Sequence, residues 1–272
     1  MEYFKVETIS PFIKSITDLT TVRSFLIEGE KAAVLVDTGT GVGHLAEFVK
    51  AITVKPLTVL CTHAHPDHMG AVEEFGEVYL NEEDFEMAMT RCGMDRRREY
   101  AGFILGEKAD LDSLYFVPER TRGYQKLSPD MEFDLGGVTV KALAFPGHTQ
   151  GMMVILIKEE RSVILGDACN RRVFLFSEES STVAEYRKAC YEFQDAYGDL
   201  FDTLYMSHGP LTLDYSLIQN MIDTCDDILA GKDDRIEIDF MGERAYLAKK
   251  EVSPGTREDG KIGNIAYALH KL

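Results

Sequence analysis

The sequence predicts an α/β protein in which strands and helices pack in layers. Short apolar segments rich in β-branched residues alternate with turn signals, and residues 25–28 and 33–37 are predicted to form a hairpin. Apolar residues then recur at helical spacing in residues 45–52, which predicts an amphipathic helix. Further strands are predicted at residues 57–61, 132–135, 138–144, 152–157, 162–165 and 203–206, and further helices at residues 183–197 and 215–229. Such a domain presents loops at the ends of its strands.

Length and composition are those of a globular protein. The chain has 272 residues, 45% of them hydrophobic, and no repeat, low-complexity tract or linker, so we predict a single domain over residues 1–272. No apolar run approaches the roughly 18–20 residues of a membrane-spanning helix, and the first residues lack the pattern of a secretory signal. Five scattered cysteines without CxxC spacing favour free thiols in a reducing compartment. We therefore expect a cytoplasmic protein that does not contact membranes.

Charge weighs against nucleic acid as a partner. The formal net charge is -17, and so acidic a surface repels phosphate backbones. Two basic clusters run against this trend, one formed by Arg91 and residues 96–98, the other by Arg171 and Arg172. Each cluster is either a solvated face or an anion site, and the solvated face is the favoured interpretation.

The segment His63-Ala64-His65-Pro66-Asp67-His68 is the strongest functional signal in the chain. Four candidate metal ligands occupy its six positions, directly after the strand predicted at residues 57–61. In an extended backbone His63 and His65 point to the same side, and Asp67 and His68 can then turn toward a second position. Loops in solvent seldom concentrate imidazole in this way, so we interpret the segment as a metal-binding loop.

Three more metal-competent residues follow other predicted strands. His148 lies between Gly147 and Thr149, Asp167 follows Gly166, and His208 precedes Gly209. Taken singly, each would usually be a capping carboxylate or a hydrogen-bonded histidine. All three stand at the end of an apolar strand and beside glycine. Packing alone does not require this repetition, so it favours a shared metal-binding role.

The other two histidines, His44 and His270, lack this context. We interpret them as ordinary helix and strand residues.

Together these motifs resemble those of the metallo-β-lactamase superfamily, and in particular its glyoxalase II-like hydrolases. The resemblance depends on HxHxDH at residues 63–68, PGHTQG at residues 146–151, LGDA at residues 165–168 and SHGP at residues 207–210. These motifs stand in the family's order, and the resemblance extends over about residues 20–210. It implies the metallo-β-lactamase fold, an αββα sandwich with the metal site at one edge.

The resemblance also implies two divalent metal ions, with Zn²⁺ preferred and Fe or Mn compatible. The implied ligands of the first ion are His63, His65 and His148, and those of the second are Asp67, His68 and His208, with Asp167 bridging both. Zinc β-lactamases typically lack that bridging carboxylate, so the pattern resembles glyoxalase II, lactonases and processing nucleases instead. Two ions about 3.5–4 Å apart would lower the pKa of a bridging water, and the hydroxide would attack a small ester, thioester, lactone or phosphoester. Asp67 is the expected catalytic group, because it can also accept a proton from the nucleophile.

Residues 81–128 interrupt the alternation of strands and helices. The segment is charged and predicted to be partly helical, and we expect it to be an insertion that caps the active site. Its aromatic and methionine side chains either form an apolar pocket or pack the insertion onto the rest of the domain. Residues 96–98, Tyr124, Asn170 and Arg171 are candidate contacts to an anionic or polar group of a small-molecule substrate.

Other functions fit the same motifs. A mononuclear iron dioxygenase of the persulfide type would need only two histidines and one aspartate, so the retention of seven ligands argues against it. A nuclease of the same superfamily is disfavoured by the acidic surface. A metal-binding module without catalytic activity is the remaining alternative.

Overall fold

A computed structural model describes residues 2–106 and 108–272. Met1 and Glu107 belong to the predicted domain, and Glu107 also to the predicted insertion, but both lie outside the described residues. The chain divides into two compact units. Unit 1 consists of Met1–Ala142 and Ile157–Glu159, and unit 2 of Leu143–Leu156 and Glu160–Leu272. A single domain over residues 1–272 stays a prediction.

The described residues contain α-helices and β-strands in mixed order. The helices are α1 (Leu45–Ile52), α2 (Phe85–Arg91), α3 (Met94–Leu105), α4 (Val183–Tyr197) and α5 (Ser216–Leu229). The strands as far as residue 144 are β1 (Phe4–Thr8), β2 (Ile13–Asp18), β3 (Arg23–Glu28), β4 (Ala33–Val36), β5 (Leu57–Leu60), β6 (Val78–Leu80), β7 (Gln125–Lys126), β8 (Glu132–Asp134) and β9 (Thr139–Ala144). The later strands are β10 (Met153–Ile157), β11 (Ser162–Ile164), β12 (Val173–Leu175), β13 (Thr203–Tyr205), β14 (Thr212–Leu213), β15 (Ile236–Phe240), β16 (Glu243–Leu247), β17 (Glu251–Ser253), β18 (Thr256–Arg257) and β19 (Ile265–Tyr267).

Unit 1 is built on a seven-stranded sheet in the order β1-β2-β3-β4-β5-β6-β7. The strands from β1 to β4 pair antiparallel, whereas β4, β5, β6 and β7 pair parallel. Leu35 and Val59 from this sheet join Leu45 and Val49 of α1 in one buried apolar cluster, which is why α1 forms with that face inward. Because β4 and β5 are parallel, their carboxyl ends lie at the same edge of the sheet.

Unit 2 contains strands in the order β14-β13-β11-β10 and a second sheet in the order β12-β19-β16-β15. Its largest apolar cluster includes residues of α4 and α5, such as Tyr186, Phe193 and Met221. Helix α4 begins with a capping box, in which Thr182 and Glu185 each satisfy a backbone N–H of the other. Strands β11 and β13 are parallel, so the loops that follow them emerge at the same edge.

Most of the predicted elements are present, and the α/β class is confirmed. The hairpin is β3 and β4, the first amphipathic helix is α1, and residues 81–128 contain α2 and α3. The strands that were not predicted include β1, β2, β7, β12 and β14. In the described part of the chain, every helix is too short or too polar to traverse a lipid bilayer.

Candidate metal centre

The ligand loop of unit 1, residues 61–70, begins where β5 ends. Asp37 directly follows the parallel strand β4, so its carboxylate lies beside Thr62 at the start of the loop. The Thr62 backbone N–H donates to Asp37 Oδ1 at 2.7 Å, and the Thr62 hydroxyl donates to Oδ1 and Oδ2 at 3.1 and 2.9 Å. Asp37 is 1% exposed and has a φ of +60°, which non-glycine residues rarely adopt. The loop is thus built around a buried carboxylate.

Asp37 orients two of the predicted ligands. His68 Nδ1 lies 2.8 Å from Asp37 Oδ2, and His63 Nδ1 lies 3.0 Å from the Thr62 hydroxyl. Because that hydroxyl donates its hydrogen to Asp37, it accepts one from His63, and Nδ1 is assigned as the protonated nitrogen of both rings. Nε2 of each ring then carries the lone pair, as metal binding requires.

The four predicted ligands of this loop lie close together. The ring centroid of His63 is 4.8 Å from that of His65 and 4.2 Å from that of His68. Asp67 Oδ2 lies 3.6 Å from His68 Nε2. The backbone N–H groups of His68 and Met69 both donate to the His65 carbonyl at 3.1 Å, which holds the loop in a tight turn.

Unit 2 carries the other three predicted ligands around the Asp167 carboxylate. His148 Nε2 lies 3.7 Å from Asp167 Oδ2, and His208 Nε2 lies 3.4 Å from Asp167 Oδ1. The Phe174 carbonyl, 3.0 Å from His148 Nδ1, fixes the tautomer of that ring as Asp37 does for His68. Asn170 Nδ2 donates to Asp167 Oδ1 at 3.1 Å. Different oxygens of Asp167 therefore face the two histidines.

The spacing of these donor atoms fits divalent cations. The three Nε2–carboxylate distances are 3.4, 3.6 and 3.7 Å. They exceed the roughly 2.7–3.2 Å of a good hydrogen bond. Two atoms that each bind a tetrahedral ion at about 2.0–2.1 Å are about 3.4 Å apart. Imidazole and carboxylate donors together suit Zn²⁺, Fe or Mn.

Burial supports the same interpretation. His63 and His68 are fully buried, His148 is 5% exposed and Asp67 is 7% exposed. Burying a carboxylate beside imidazoles is costly unless positive charge compensates it, which a cation would do. The side chain of His208 is the most open of the predicted ligands in unit 2, at 28% exposed, so solvent reaches this side of the cluster.

Each unit therefore brings its own predicted ligands together, and the two remaining histidines lie apart from them. His44 stacks on Tyr115 at 3.9 Å between ring centroids and lies 3.2 Å from Glu74 Oε1, while His270 is exposed near the end of the chain. Sequence reasoning missed Asp37 and Thr62 as positioning residues. The sequence signal is limited to an aspartate directly after an apolar strand, and only the structure shows that this strand runs parallel to the strand before His63.

The first basic cluster is not a uniformly solvated face. Arg97 is 1% exposed, and its guanidinium donates to the carbonyls of Gly70 and Val117 at 2.7 and 2.8 Å. Arg98 lies 5.3 Å from the centre of the Phe116 ring and is also paired with Asp112. For Arg97, both the solvated face and the anion site are therefore wrong, because its guanidinium is buried and binds backbone carbonyls, one of them at the end of the ligand loop.

Comparison with known proteins gives a consistent result. A family model described as the metallo-beta-lactamase superfamily matches residues 17–236. Among curated proteins, a probable metallo-hydrolase YqgX of Bacillus subtilis (strain 168) is 30% identical over 53% of this chain and 63% of its own length. An atrochrysone carboxyl ACP thioesterase of Aspergillus chevalieri is 25% identical over 53% of this chain and 39% of its own length. The chain thus matches only part of the length of these relatives.

Solved structures show the fold. A metallo-beta-lactamase from Pontibacter korlensis has a TM-score of 0.62 and 18% identity, covering 82% of this chain and 99% of that one. The archaeal superfamily protein ST1585 from Sulfolobus tokodaii has a TM-score of 0.53 and 18% identity, with coverage of 80% and 84%. At such identities the likeness concerns the fold alone.

Proposed function

The chain belongs to the metallo-β-lactamase superfamily and has its αββα fold, and from that premise we propose that it is a hydrolase dependent on two divalent metal ions. The proposed ligands of one ion are His63, His65 and His148, those of the other are Asp67, His68 and His208, and Asp167 is shared. One observation carries the proposal: in each unit a protein oxygen lies within hydrogen-bond distance of Nδ1 of a proposed ligand histidine, and Nε2 of the same ring lies 3.6 or 3.7 Å from a carboxylate oxygen.

Bound metal ions would lower the pKa of water toward neutrality and stabilise the oxyanion that develops in hydrolysis. The protein's own contribution is to hold the ligands in place and to manage the proton. Asp67 is nearly buried and has two carboxylate oxygens, of which one can bind a cation while the other accepts a proton from the nucleophile. Asp167 presents one oxygen to His148 and the other to His208, which suits a shared ligand. Zn²⁺ is the proposed metal, because five of the seven ligands are nitrogen donors.

We propose a small ester or thioester as the substrate class. The thioesterase and metallo-hydrolase names of the curated relatives favour this class over a nuclease. The net charge of -17 also weighs against a nucleic acid.

The segment of residues 81–128 is proposed to cap the metal centre. Asp84 Oδ2 accepts a hydrogen bond from Ala64 N at 3.0 Å, and Cys92 Sγ donates to the Ala64 carbonyl at 3.3 Å. Arg97 binds Gly70 at the other end of the ligand loop. Three contacts thus tie the segment to the loop, as expected of a cap.

A cytoplasmic location is proposed from the thiols. All five cysteines are free, and four of them are buried. That pattern suits a reducing compartment.

The test combines a metal assay with a substrate panel. Purified protein is expected to hold about two ions per chain and to hydrolyse at least one ester or thioester in a broad panel. His148→Ala and Asp167→Ala should each lose metal and activity together, while His270→Ala, at an exposed histidine outside the ligand set, should keep both. Full metal content in His148→Ala and Asp167→Ala would contradict the ligand assignment, and a fully loaded but inert protein would contradict the hydrolase.

A further inference from the structure

The arginines of the chain differ in what their guanidinium groups contact. Ion pairs with Asp or Glu are formed by several of those in the described residues, namely Arg96, Arg98, Arg122, Arg161, Arg172, Arg187, Arg235, Arg244 and Arg257. Arg97 and Arg120 donate to backbone carbonyls. Arg171 differs, because its hydrogen bond goes from the guanidinium to the neutral hydroxyl of Thr256, at 2.8 Å. Within residues 2–106 and 108–272, no carboxylate oxygen lies within 4.0 Å of the Arg171 guanidinium.

Arg171 lies beside two of the proposed metal ligands of unit 2. The residue before it, Asn170, donates to Asp167. Its side chain also packs on the residue after His208, since a Cβ on Gly209 would lie 3.7 Å from Arg171 Cδ. On the other side, a Cβ on Gly255 would lie 3.3 Å from Arg171 Cβ and 3.4 Å from Nε. The stem of Arg171 therefore runs between Gly209 and Gly255.

The backbone around Arg171 is fixed from the neighbouring hairpin of β17 and β18. Arg172 pairs with Glu251, whose side chain is 6% exposed. Glu251 also accepts hydrogen bonds from Asn264 Nδ2 and Gly255 N, each at 2.9 Å. Arg172 N donates to the Asn170 side-chain oxygen at 2.8 Å. Arg171 is thus presented by a rigid support, which reduces the entropy lost when it binds a ligand.

We propose that Arg171 binds a carboxylate or phosphate group of the substrate, so that the hydrolase acts on anionic esters or thioesters. The inference rests on the proposed function and narrows its substrate class. A guanidinium carries five N–H donors in a planar fork that matches a carboxylate or phosphate, and Arg171 uses one toward Thr256. The chain has a net charge of -17, so most of its surface repels anions. Arg171 is half-buried and its charge is not neutralised by a carboxylate of the described residues, so it offers an anion a specific binding position.

The kinetic test compares three thioesters that share the reacting group. S-butyryl-N-acetylcysteamine is neutral, S-glutaryl-N-acetylcysteamine carries a carboxylate, and butyryl-coenzyme A carries phosphates. Arg171→Gln should raise KM for a charged substrate by about 10- to 100-fold, the usual worth of charge-assisted hydrogen bonds, and leave the neutral one unchanged. Arg171→Lys should lose part of this discrimination, because lysine keeps the charge without the fork.

Arg244→Gln is the matched control, since it removes the same charge from an exposed pair with Glu237. It should alter none of the three KM values. The charged substrate that depends on Arg171 identifies the anion as carboxylate or phosphate. An equal change for all three thioesters, or no change for any, would overturn the assignment.

A binding measurement keeps this test separate from the test of hydrolysis. Inorganic phosphate and glutarate are titrated calorimetrically into metal-loaded wild-type protein and Arg171→Gln, with the metal content of both checked. The variant should bind at least one of the two anions about 10- to 100-fold more weakly at unchanged metal content. If the variant binds both anions with wild-type affinity, the role of Arg171 is refuted, even if the protein proves to be a hydrolase. If the variant binds an anion more weakly while it keeps its metal, the role is supported, even if the panel finds no substrate.

Discussion

Replacing Asp37 by Asn tests whether a buried carboxylate outside the ligand set controls metal binding. Asn is the suitable replacement, because it has nearly the same shape and tolerates the φ of +60° at this position. The change removes the negative charge that His68 contacts directly and that His63 contacts through the Thr62 hydroxyl. In the proposed site these two histidines bind different ions, so both ions should be held less tightly.

The magnitude follows from the hydrogen bonds of Asp37. Its bond to His68 Nδ1 is 2.8 Å long and fully buried, and a hydrogen bond to a charged group contributes about 1.5–3 kcal/mol. That energy corresponds to a factor of about 10–100 in affinity. In other metalloproteins, replacing the hydrogen-bond partner of a metal-bound histidine lowers metal affinity by a similar factor of about 10–100. We therefore expect Asp37→Asn to weaken Zn²⁺ binding by about 10- to 100-fold.

The assay is a titration of metal-free protein with Zn²⁺ in the presence of a competing chelator, with circular dichroism to verify the fold. Asp134→Asn is the control, because it makes the same change at an exposed aspartate whose carboxylate accepts from Gly136 N at 2.9 Å. The control should bind Zn²⁺ like the wild type. If folded Asp37→Asn also bound Zn²⁺ with wild-type affinity, the proposed role of Asp37 would be refuted.

Three further predictions address the support of the site and the core of unit 2. Gly147→Ala should destabilise the protein by about 2–4 kcal/mol and weaken metal binding, because a Cβ there would lie 2.3 Å from Tyr186 Cδ2. An unchanged urea midpoint and an unchanged metal content would argue against this packing. Thr182→Ala should lower the free energy of unfolding by about 1 kcal/mol, because it breaks the capping box with Glu185, and the metal content should not change. A loss of metal would mean that α4 also positions the metal ligands. Burial raises the pKa of the Cys190 thiol to about 12, so it should not react with Ellman's reagent at pH 8 until the protein unfolds, and rapid labelling of the native protein would contradict its burial.

The proposed ligand residues could be named from the sequence because their signal is local. HxHxDH concentrates four donors in six positions, and the remaining three each follow an apolar strand. The elements β3, β4 and α1 were predictable for the same reason, because period-2 and period-3.6 patterns of apolar residues are properties of short segments.

The role of Asp37 could not be predicted, because it depends on strand pairing that no local pattern encodes. Asp37 and Thr62 are separated by 25 residues and meet because β4 and β5 are parallel neighbours. Arg97 was misinterpreted for a related reason. Its charged neighbours suggest a solvated helix face, whereas the carbonyls that it binds come from Gly70 and Val117, 27 and 20 residues away. A buried arginine that binds backbone carbonyls has no sequence pattern of its own.

Anomalous diffraction at the zinc absorption edge, from crystals of the zinc-loaded protein, tests the proposed metal centre most directly. We expect two strong peaks, each about 2.0–2.1 Å from its imidazole ligands. The first should be bound by His63, His65 and His148, the second by Asp67, His68 and His208, and Asp167 should contact both. A single peak, or peaks bound by other residues while His148, Asp167 and His208 stay uncoordinated, would contradict the two-metal hydrolase.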